Sequence, residues 1–284
     1  MKWALVLSGG GARGLAHIGV LKSLEAWGLK PSLVIGTSMG AIVGGIYACG
    51  TSISDIESFL LEEFEFKKYL DRWVFHLSGG PLVKYLQAQD ALHSLLQHDA
   101  IDSGARVLQL LQRFTRNKDF SQTEIPFACN AVDLVSGREV LLNEGPVAEA
   151  IRASMSLPGI FSPVQKNDRL LVDGGILNNA PLWIAKKLGA RRILCIHVSR
   201  LETAKAEDLT NGIAIFLRTN TITGNSLTEV QNRGGNALEI WAYNRTSVFD
   251  FDRKEELIQL GQLAAAENKD RIVRWLTRRW PFWA

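Results

Sequence analysis

The fold is decided by the stretch WALVLSGGGARGLAHIGVLKSLEAWGLKPSLVIGTSMGAIVGGIYACG, residues 3–50. It contains two apolar runs of strand length, 3–8 and 32–36, and each is followed by a turn that contains glycine. After the turns, apolar residues recur at helical spacing over 15–29 and 41–50. Two strand-turn-helix units in series predict neighbouring parallel strands that are covered by helices, which is an α/β arrangement.

The first turn, GGGARG (9–14), contains the pattern GxGxxG of a dinucleotide-binding fingerprint. That fingerprint also needs an acidic residue about 20 positions further on, and the chain has no acid from Lys30 to Ser54. A P-loop is excluded as well, because Leu15 stands where the phosphate-binding lysine belongs. Consecutive glycines still allow backbone amides to face one space at a helix N-terminus, where they stabilise negative charge.

The second turn, Gly36-Thr37-Ser38-Met39-Gly40, is a G-x-S-x-G sequence between an apolar strand and an apolar helix. This is the setting of a nucleophile elbow, in which a strained turn exposes the serine hydroxyl and the flanking glycines avoid clashes. An ordinary strand-to-helix turn with serine as helix cap is the alternative interpretation. We predict Ser38 as the nucleophile of a serine acyl hydrolase.

A nucleophilic serine needs an oxyanion hole and a base. If strands 3–8 and 32–36 are neighbours, both turns emerge at the same sheet edge, so the amides of Gly10 and Gly11 can face the carbonyl that Ser38 attacks. For the base, His197 alone comes late enough for the usual chain order of serine, acid and histidine. It lies inside the apolar run ILCIHV, however, and this position favours a satisfied histidine of a strand.

A carboxylate is the stronger candidate for the base. Asp173 follows the run RLLV and precedes Gly174-Gly175, so we expect it to project from a strand end beside a turn. A Ser/Asp dyad is chemically sufficient if partial desolvation raises the basicity of a carboxyl whose ordinary pKa is about 4. A turn-forming aspartate before glycine is the alternative interpretation of this residue.

Two further regions flank or interrupt these motifs. Residues 54–124 are rich in helix-forming and charged residues and predict a helical insertion, whose apolar side chains could line an acyl groove. The segment 201–284 predicts a helical extension. Its end, 269–284, holds five basic and four aromatic residues, which suit either an amphipathic helix packed on the core or peripheral contact with an anionic membrane. The residues named for the groove are Trp73, Phe75, Leu82, Tyr85 and Leu86.

Composition narrows the class of protein. The 284 residues are 46% apolar and carry a net charge of +3, which suits a globular protein and gives no reason to expect nucleic-acid binding. The three cysteines lie far apart in apolar segments, so we expect free thiols, no structural metal, and a reducing, cytoplasmic location, with the inner face of the membrane as the site of any membrane contact. The uncharged stretch 31–53 could span a bilayer by length, but its glycines suit a strand, turn and helix better.

Together the motifs GGGARG, GTSMG and DGG, in that order, resemble the patatin-like phospholipases. The resemblance covers about residues 3–200, because the blocks at 131–140, 151–164 and 178–190 are also similar to that family. It implies a three-layer α/β/α fold with a mostly parallel central sheet, a catalytic domain over 1–200, and hydrolysis of lipid acyl esters without metal or cofactor. The site that it implies has a Ser38/Asp173 dyad, an oxyanion hole at Gly9, Gly10 and Gly11, and supporting residues Arg13, Gly14, Gly36, Gly40, Gly174 and Gly175.

Arg13 matches a residue that is usual in that family, where it would orient the loop or attract a phosphate headgroup. Three other functions remain open from sequence. They are a soluble esterase or thioesterase with the same dyad, a regulatory protein that binds lipid without turnover, and a nucleotide-binding module, which the missing acid disfavours.

Overall fold

The computed structural model describes residues 3–63, 100–102, 104–209, 212–232 and 236–277. The groove residues between positions 73 and 86 lie outside the described residues, as do His76, His93 and His98. The predicted helical insertion, 54–124, is therefore described only at its two ends.

The central sheet is mixed, with a parallel half that contains both predicted strand-turn-helix units. Its order is β10-β9-β1-β2-β4-β8-β7, and β5 pairs with β4. Neighbours from β10 to β4 are parallel, whereas β8, β7 and β5 join antiparallel. A separate parallel pair joins β3 to β6. The strands are β1 (Trp3–Leu7), β2 (Leu33–Gly36), β3 (Ala100–Asp102), β4 (Phe127–Asp133), β5 (Arg138–Leu142), β6 (Gly159–Phe161), β7 (Val164–Lys166), β8 (Arg169–Asp173), β9 (Arg192–His197) and β10 (Ala237–Trp241).

Helices cover both faces of this sheet. Because successive side chains of a strand point to opposite faces, Leu5 and Leu7 of β1 enter one core, while Ala4 and Val6 enter the other. The first core also contains buried residues of α1, α2, α5 and α8, and the second contains those of α6. The helices are α1 (Ala16–Ala26), α2 (Met39–Ala48), α3 (Ile53–Ser58), α4 (Ala105–Phe114), α5 (Val147–Ser154), α6 (Leu182–Lys187), α7 (Gly212–Asn232), α8 (Lys254–Glu267) and α9 (Lys269–Thr277).

The predicted fold class, a three-layer α/β/α protein with a mostly parallel central sheet, is confirmed. The predicted pairing of the first two strands is found with Leu7 opposite Gly36, and the ends of the first four predicted elements differ from those observed by up to three residues. This register brings the turn after β1 and the turn after β2 to the same edge of the sheet.

The C-terminal region adds a strand that the sequence analysis does not predict. β10 runs parallel to β9, with Ile240 opposite Ile196, inside the span 201–284 that was interpreted as a helical extension. Its sequence, ALEIW, is too short for periodicity to separate strand from helix. The central sheet therefore extends past residue 200, while the division into a catalytic domain and an extension stays a prediction.

The first half of the basic-aromatic segment 269–284 lies on the core. In α9, Ile272 and Leu276 are buried, and the indole Nε1 of Trp275 donates to the carbonyl of Ile193 at 3.1 Å. The Arg192 guanidinium donates to the carbonyl of Trp275 at 2.7 Å. Over the described residues, none of the helices combines the length and the apolar character needed to cross a bilayer.

Candidate active site

Ser38 occupies a strained turn between β2 and α2. Its backbone has φ 53° and ψ −121°, a conformation that few residues with a side chain adopt. A Cβ at Gly36 would overlap the backbone of Ala41, and a Cβ at Gly40 would overlap the carbonyl oxygen of Leu7. Glycine is therefore required on both sides of Ser38, which is the geometry of a nucleophile elbow.

Asp173 ends β8 beside Ser38 and is almost fully buried, with 6% of its surface exposed. The Ser38 hydroxyl is close enough to this carboxylate to lower its pKa as a hydrogen-bond donor. The amide of Gly175 donates to Oδ1 at 2.7 Å, and the amide of Asp173 itself donates to the carbonyl of Ser156 at 2.9 Å. Burial raises the pKa of Asp173 to about 6, although the bonds from Ser38 and Gly175 oppose this rise. The carboxylate is thus ionised at neutral pH and more basic than an ordinary aspartate.

The glycine turn lies against the elbow, since a Cβ on Gly9 would be 3.2 Å from the Cβ of Ser38. The amide of Gly9 donates to the carbonyl of Asn179 at 3.2 Å, and the Asn179 side chain donates back to the carbonyl of Gly9 at 3.1 Å. The amides of Gly10 and Gly11 have no hydrogen-bond partner in the part of the chain that the structure describes. The sequence predicts an oxyanion hole at Gly9, Gly10 and Gly11. Because the Gly9 amide already has a partner, the amides of Gly10 and Gly11 are the two of these that are available to bind an oxyanion.

The far side of the glycine turn is anchored to the C-terminal region. The guanidinium of Arg13 donates from Nε to the carbonyl of Thr246 at 2.6 Å and from Nη1 to the hydroxyl of Ser199 at 3.1 Å. It also lies over the ring of Tyr243, 5.2 Å from the centroid. Burial lowers the pKa of Arg13, while Tyr243 and Glu202 act against this effect. Of the two roles that the sequence suggests for Arg13, these contacts favour orientation of the glycine loop over attraction of a phosphate headgroup.

The remaining supporting glycines leave room for neighbouring side chains to approach the backbone closely. A Cβ at Gly14 would overlap the Met39 side chain, and a Cβ at Gly174 would overlap the side chain of Asn130. A Cβ at Gly175 would lie 3.0 Å from the side-chain oxygen Oδ1 of Asn179. Neighbouring side chains therefore pack directly against the backbone at Gly14, Gly174 and Gly175.

Two histidines of the described residues lie near these turns, but neither bonds to Ser38 or Asp173. His17 is buried, with Nε2 at 2.8 Å from the carbonyl of Ser8, and burial lowers its pKa to about 4, so it is neutral. His197 has Nε2 at 2.7 Å from the carboxylate of Glu239. Burial opposes its charged form, yet Cys195 and Glu239 raise the pKa of His197. His197 is thus a satisfied histidine at the end of a strand.

A cavity of about 170 Å³ opens over Ser38. One part of its lining is apolar and the other is polar. The apolar residues are Met39, Ile42, Met155, Leu157, Ile160, Phe161, Ile176, Val248, Phe249 and Phe251. The polar residues, besides Ser38 and Asp173, are Asn179, Ser199, Asn220, Thr221 and Asn225.

Sequence reasoning missed the lining that α7 and the segment 248–251 contribute. The sequence feature that could have indicated a polar lining from α7 is a span rich in threonine and asparagine. Within it, Thr221 and Asn225 are one helical turn apart and so lie on the same face of the helix. Without knowledge of the fold, nothing in that span places it beside Asp173. Over the described residues, no cluster of histidine, cysteine and carboxylate side chains could hold a metal ion.

Both the sequence and the fold are similar to those of known proteins. Residues 5–186 match the family described as Patatin-like phospholipase. The chain is 31% identical over 205 residues to an uncharacterised NTE family protein of Mycobacterium tuberculosis, covering 72% of this chain and 51% of the relative. It is 30% identical over 198 residues to the lysophospholipase NTE1 of Candida albicans, covering 70% of this chain and 13% of that protein. The matched part of this chain thus corresponds to about half the length of the Mycobacterium tuberculosis relative and to a smaller share of the Candida albicans protein.

A solved structure shares the fold. The crystal structure of VipD from Legionella pneumophila superposes with a TM-score of 0.56, covering 95% of this chain and 67% of that one at 15% identity. The sequence match to the family ends at residue 186. The helix α7 and the segment 248–251 therefore add walls to the cavity from outside the matched region.

Proposed function

The chain belongs to the patatin-like phospholipase family, and we propose that it hydrolyses a carboxylic ester bond of a lipid through Ser38 and Asp173. The observation that carries this proposal is the pairing of Ser38, in its strained turn, with a buried carboxylate whose pKa is raised to about 6. This pair lies at an apolar cavity, beside backbone amides that have no partner within the described residues. The proposal assigns to these groups the roles of nucleophile, base and oxyanion site.

In the first step, Asp173 accepts the proton of the Ser38 hydroxyl while Oγ forms a bond to the ester carbonyl carbon. The carbonyl oxygen becomes negative, and the amides of Gly10 and Gly11 stabilise this charge. When the tetrahedral intermediate collapses, the bond to the alcohol breaks and Asp173 returns the proton to the leaving oxygen. The acyl group is now bound to Ser38.

In the second step, Asp173 accepts a proton from water, and the hydroxide attacks the acyl-enzyme. Collapse releases the carboxylic acid, and the proton held by Asp173 returns to Ser38. A carboxylate of ordinary pKa would be a weak base for both steps, so the burial of Asp173 contributes directly to the rate.

The size of the cavity favours a substrate with one acyl chain. Its 170 Å³ is close to the volume of a cavity that holds a benzene ring, about 150 Å³. We assign the first carbons of one acyl chain to the apolar part of the cavity, beside Met39 and Phe161. We therefore propose a lysophospholipid or another monoacyl ester as substrate, a choice that the name of the Candida albicans relative, a lysophospholipase, supports.

The test combines labelling with turnover. A fluorophosphonate should modify Ser38, and both Ser38→Ala and Asp173→Asn should lower lysophospholipid hydrolysis by about 10²- to 10⁴-fold, as expected for loss of a nucleophile or general base. Ser121→Ala replaces an exposed serine outside the cavity and serves as the matched control, with unchanged labelling and rate. Labelling of another residue, or full activity of Ser38→Ala, would refute the proposed nucleophile.

The same assay separates the alternatives that the sequence left open. Turnover of soluble short esters or thioesters without any turnover of lipid would indicate a soluble esterase or thioesterase. Saturable lipid binding without turnover or labelling would indicate a regulatory protein. The proximity of Ser38 to Asp173 favours an active enzyme, because a protein without turnover has no need for a base of raised pKa.

We also propose that α9 contacts anionic membrane surfaces electrostatically. Ile272 and Leu276 face the core, and on the exposed side of the helix Lys269, Arg271 and Arg274 outnumber one acid, Asp270. Such a contact would hold the enzyme at the inner face of the membrane. Each basic residue near such a surface contributes about 1 kcal/mol, so reversal of both arginine charges should weaken vesicle binding by more than tenfold.

The experiment measures sedimentation with phosphatidylglycerol vesicles at low and high salt. The double variant Arg271→Glu/Arg274→Glu is compared with Lys186→Glu, which reverses an exposed charge on α6. Binding that is equal in the three proteins, or insensitive to salt, would leave α9 with a packing role alone.

A further inference from the structure

The polar part of the cavity lining comes largely from one helix, α7. Asn220, Thr221 and Asn225 line the cavity together with Ser38 and Asp173. The helix lies outside the span that matches the family. It therefore adds a feature to the site that the family motifs do not specify.

Close packing fixes α7 against the turn that follows Asp173. A Cβ at Gly224 would overlap the carbonyl oxygen of Gly175, so the helix backbone directly touches this turn. One helical turn later, the hydroxyl of Thr228 accepts a 2.7 Å hydrogen bond from the amide of Asn179. Since Asn179 also bonds to Gly9, α7 is fixed relative to both the base and the oxyanion loop. Its side chains are held at a defined distance from the reacting ester.

The amides on this helix have unused hydrogen-bonding capacity. Nδ2 of Asn220 is buried and has no partner within the described residues. Asn225 donates from Nδ2 to the carbonyl of Thr221 at 2.8 Å, and an amide side chain has a second donor hydrogen and an acceptor oxygen besides. A buried polar group without a partner is costly, and native proteins keep few of them. A polar ligand in the cavity would give these groups partners.

The charge of the lining defines the chemistry of that ligand. No lysine, arginine or histidine side chain is among the described residues that line the cavity, and Asp173 brings a negative charge. Arg13, beside the cavity, already bonds to Thr246 and Ser199. A phosphate is therefore disfavoured close to Ser38, whereas hydroxyl groups, which both donate and accept, match amide side chains.

We propose that Asn220 and Asn225 bind the glycerol moiety of a monoacylglycerol-type ester and thereby select glycerol esters over simple alkyl esters. This inference rests on the proposed function, because it names the alcohol part of the same substrate. Any phosphate attached to the glycerol lies beyond these residues and is not recognised by them. The acyl chain takes the apolar part of the cavity, beside Met39 and Phe161.

The test compares three esters of one acyl chain: monooctanoylglycerol, octanoyl lysophosphatidylcholine and methyl octanoate. In Asn220→Leu and in Asn225→Leu, the ratio of kcat/KM for monooctanoylglycerol to that for methyl octanoate should fall about three- to tenfold, the effect of one lost hydrogen bond. The ratio between the two glycerol esters should stay constant. Thr219→Leu, an exposed position on α7, is the matched control and should leave both ratios unchanged.

Folding is checked in the same variants by thermal unfolding. Asn220→Leu removes a buried donor without a partner, so its Tm should not fall. An unchanged ratio of glycerol to methyl ester in both variants would overturn the inference. A loss confined to the lysophosphatidylcholine would overturn it too, because the helix would then recognise the phosphate.

A binding measurement separates this inference from the proposed function. Calorimetry with 1-O-octylglycerol, an ether that cannot be hydrolysed, needs no turnover. Its Kd should rise about three- to tenfold in Asn220→Leu and Asn225→Leu, for the same loss of a hydrogen bond. An unchanged Kd would overturn the glycerol site even where esters are hydrolysed. If the wild-type protein binds the ether in this manner but cleaves no ester, the glycerol site stands and the proposed hydrolysis fails.

Discussion

The backbone amide of Ala12 donates a 2.8 Å hydrogen bond to the carbonyl oxygen of Val248, which joins the glycine turn after β1 to the segment between β10 and α8. The same carbonyl oxygen lies where a Cβ on Gly11 would be. A residue near the end of the chain thus sets the position of the amides that we assign to the oxyanion hole.

Replacement of Gly11 by alanine tests this arrangement. Gly11 has φ +56°, and the added Cβ would overlap the Val248 carbonyl, so the turn must move. We expect kcat to fall by about 10²-fold or more, the loss measured when one oxyanion donor is removed. The measurement is ester hydrolysis at saturating substrate.

Gly28→Ala is the matched control for Gly11→Ala. Gly28 has φ +67°, and nothing lies within 4 Å of its added Cβ, so the variant carries the backbone strain without the clash. It should lower the free energy of unfolding by about 1–2 kcal/mol and leave kcat unchanged. Equal rates in the two variants would mean that the contact with Val248 does not position the oxyanion donors.

The pH dependence of hydrolysis should report the ionisation of Asp173. A general base acts in its deprotonated form, and burial raises the pKa of this carboxyl to about 6. We expect kcat/KM to rise tenfold per pH unit below about pH 6 and to level off above it. A midpoint near pH 4, the range of an ordinary aspartate, would show that the carboxyl is not desolvated when it acts.

Asp173→Asn should stabilise the protein at alkaline pH although it lowers activity. The pKa of Asp173 in the folded state, about 6, lies above the ordinary aspartate value of 3.8 that holds in the unfolded state. The folded protein therefore holds the proton more tightly, so the stability that this group contributes is complete below about pH 4 and is lost as pH rises through 6. Removal of the buried charge should raise the free energy of unfolding at pH 8 by about 1–3 kcal/mol.

Denaturant unfolding at pH 4 and pH 8 measures this effect. Asp168→Asn, an exposed position in the turn between β7 and β8, is the control and should shift neither curve. A loss of stability in Asp173→Asn at pH 8 would mean that the hydrogen bonds of the carboxylate outweigh its desolvation.

The parts of the site that could be predicted from the sequence are those fixed by local chemistry. Apolar runs and glycine turns predict β1, β2 and the elbow at Ser38, because a tight strand-to-helix turn has few allowed sequences. Asp173 was also predicted locally, from a strand end followed by two glycines. Each of these features depends on neighbours within a few residues.

Features that depend on long-range packing could not be predicted. The contact of Gly224 with Gly175 and the bond from Ala12 to Val248 join segments far apart in the chain, and no periodicity encodes such pairs. The amide of Gly9, named for the oxyanion hole, instead donates to Asn179, which is another distant partner. The walls of the cavity were missed for the same reason.

His197→Gln separates a dyad from a triad. His197 bonds to Glu239 at 2.7 Å and stacks on Trp241, with ring centroids 4.8 Å apart, and it has no bond to Ser38 or Asp173 within the described residues. The variant should lower the free energy of unfolding by about 2 kcal/mol, because it removes a hydrogen bond between charged groups. It should change kcat/KM by less than about threefold, against about 10²- to 10⁴-fold for Asp173→Asn. Comparable losses of activity in the two variants, with His197→Gln still folded by circular dichroism, would contradict the dyad, because a base that acts through histidine would then be required.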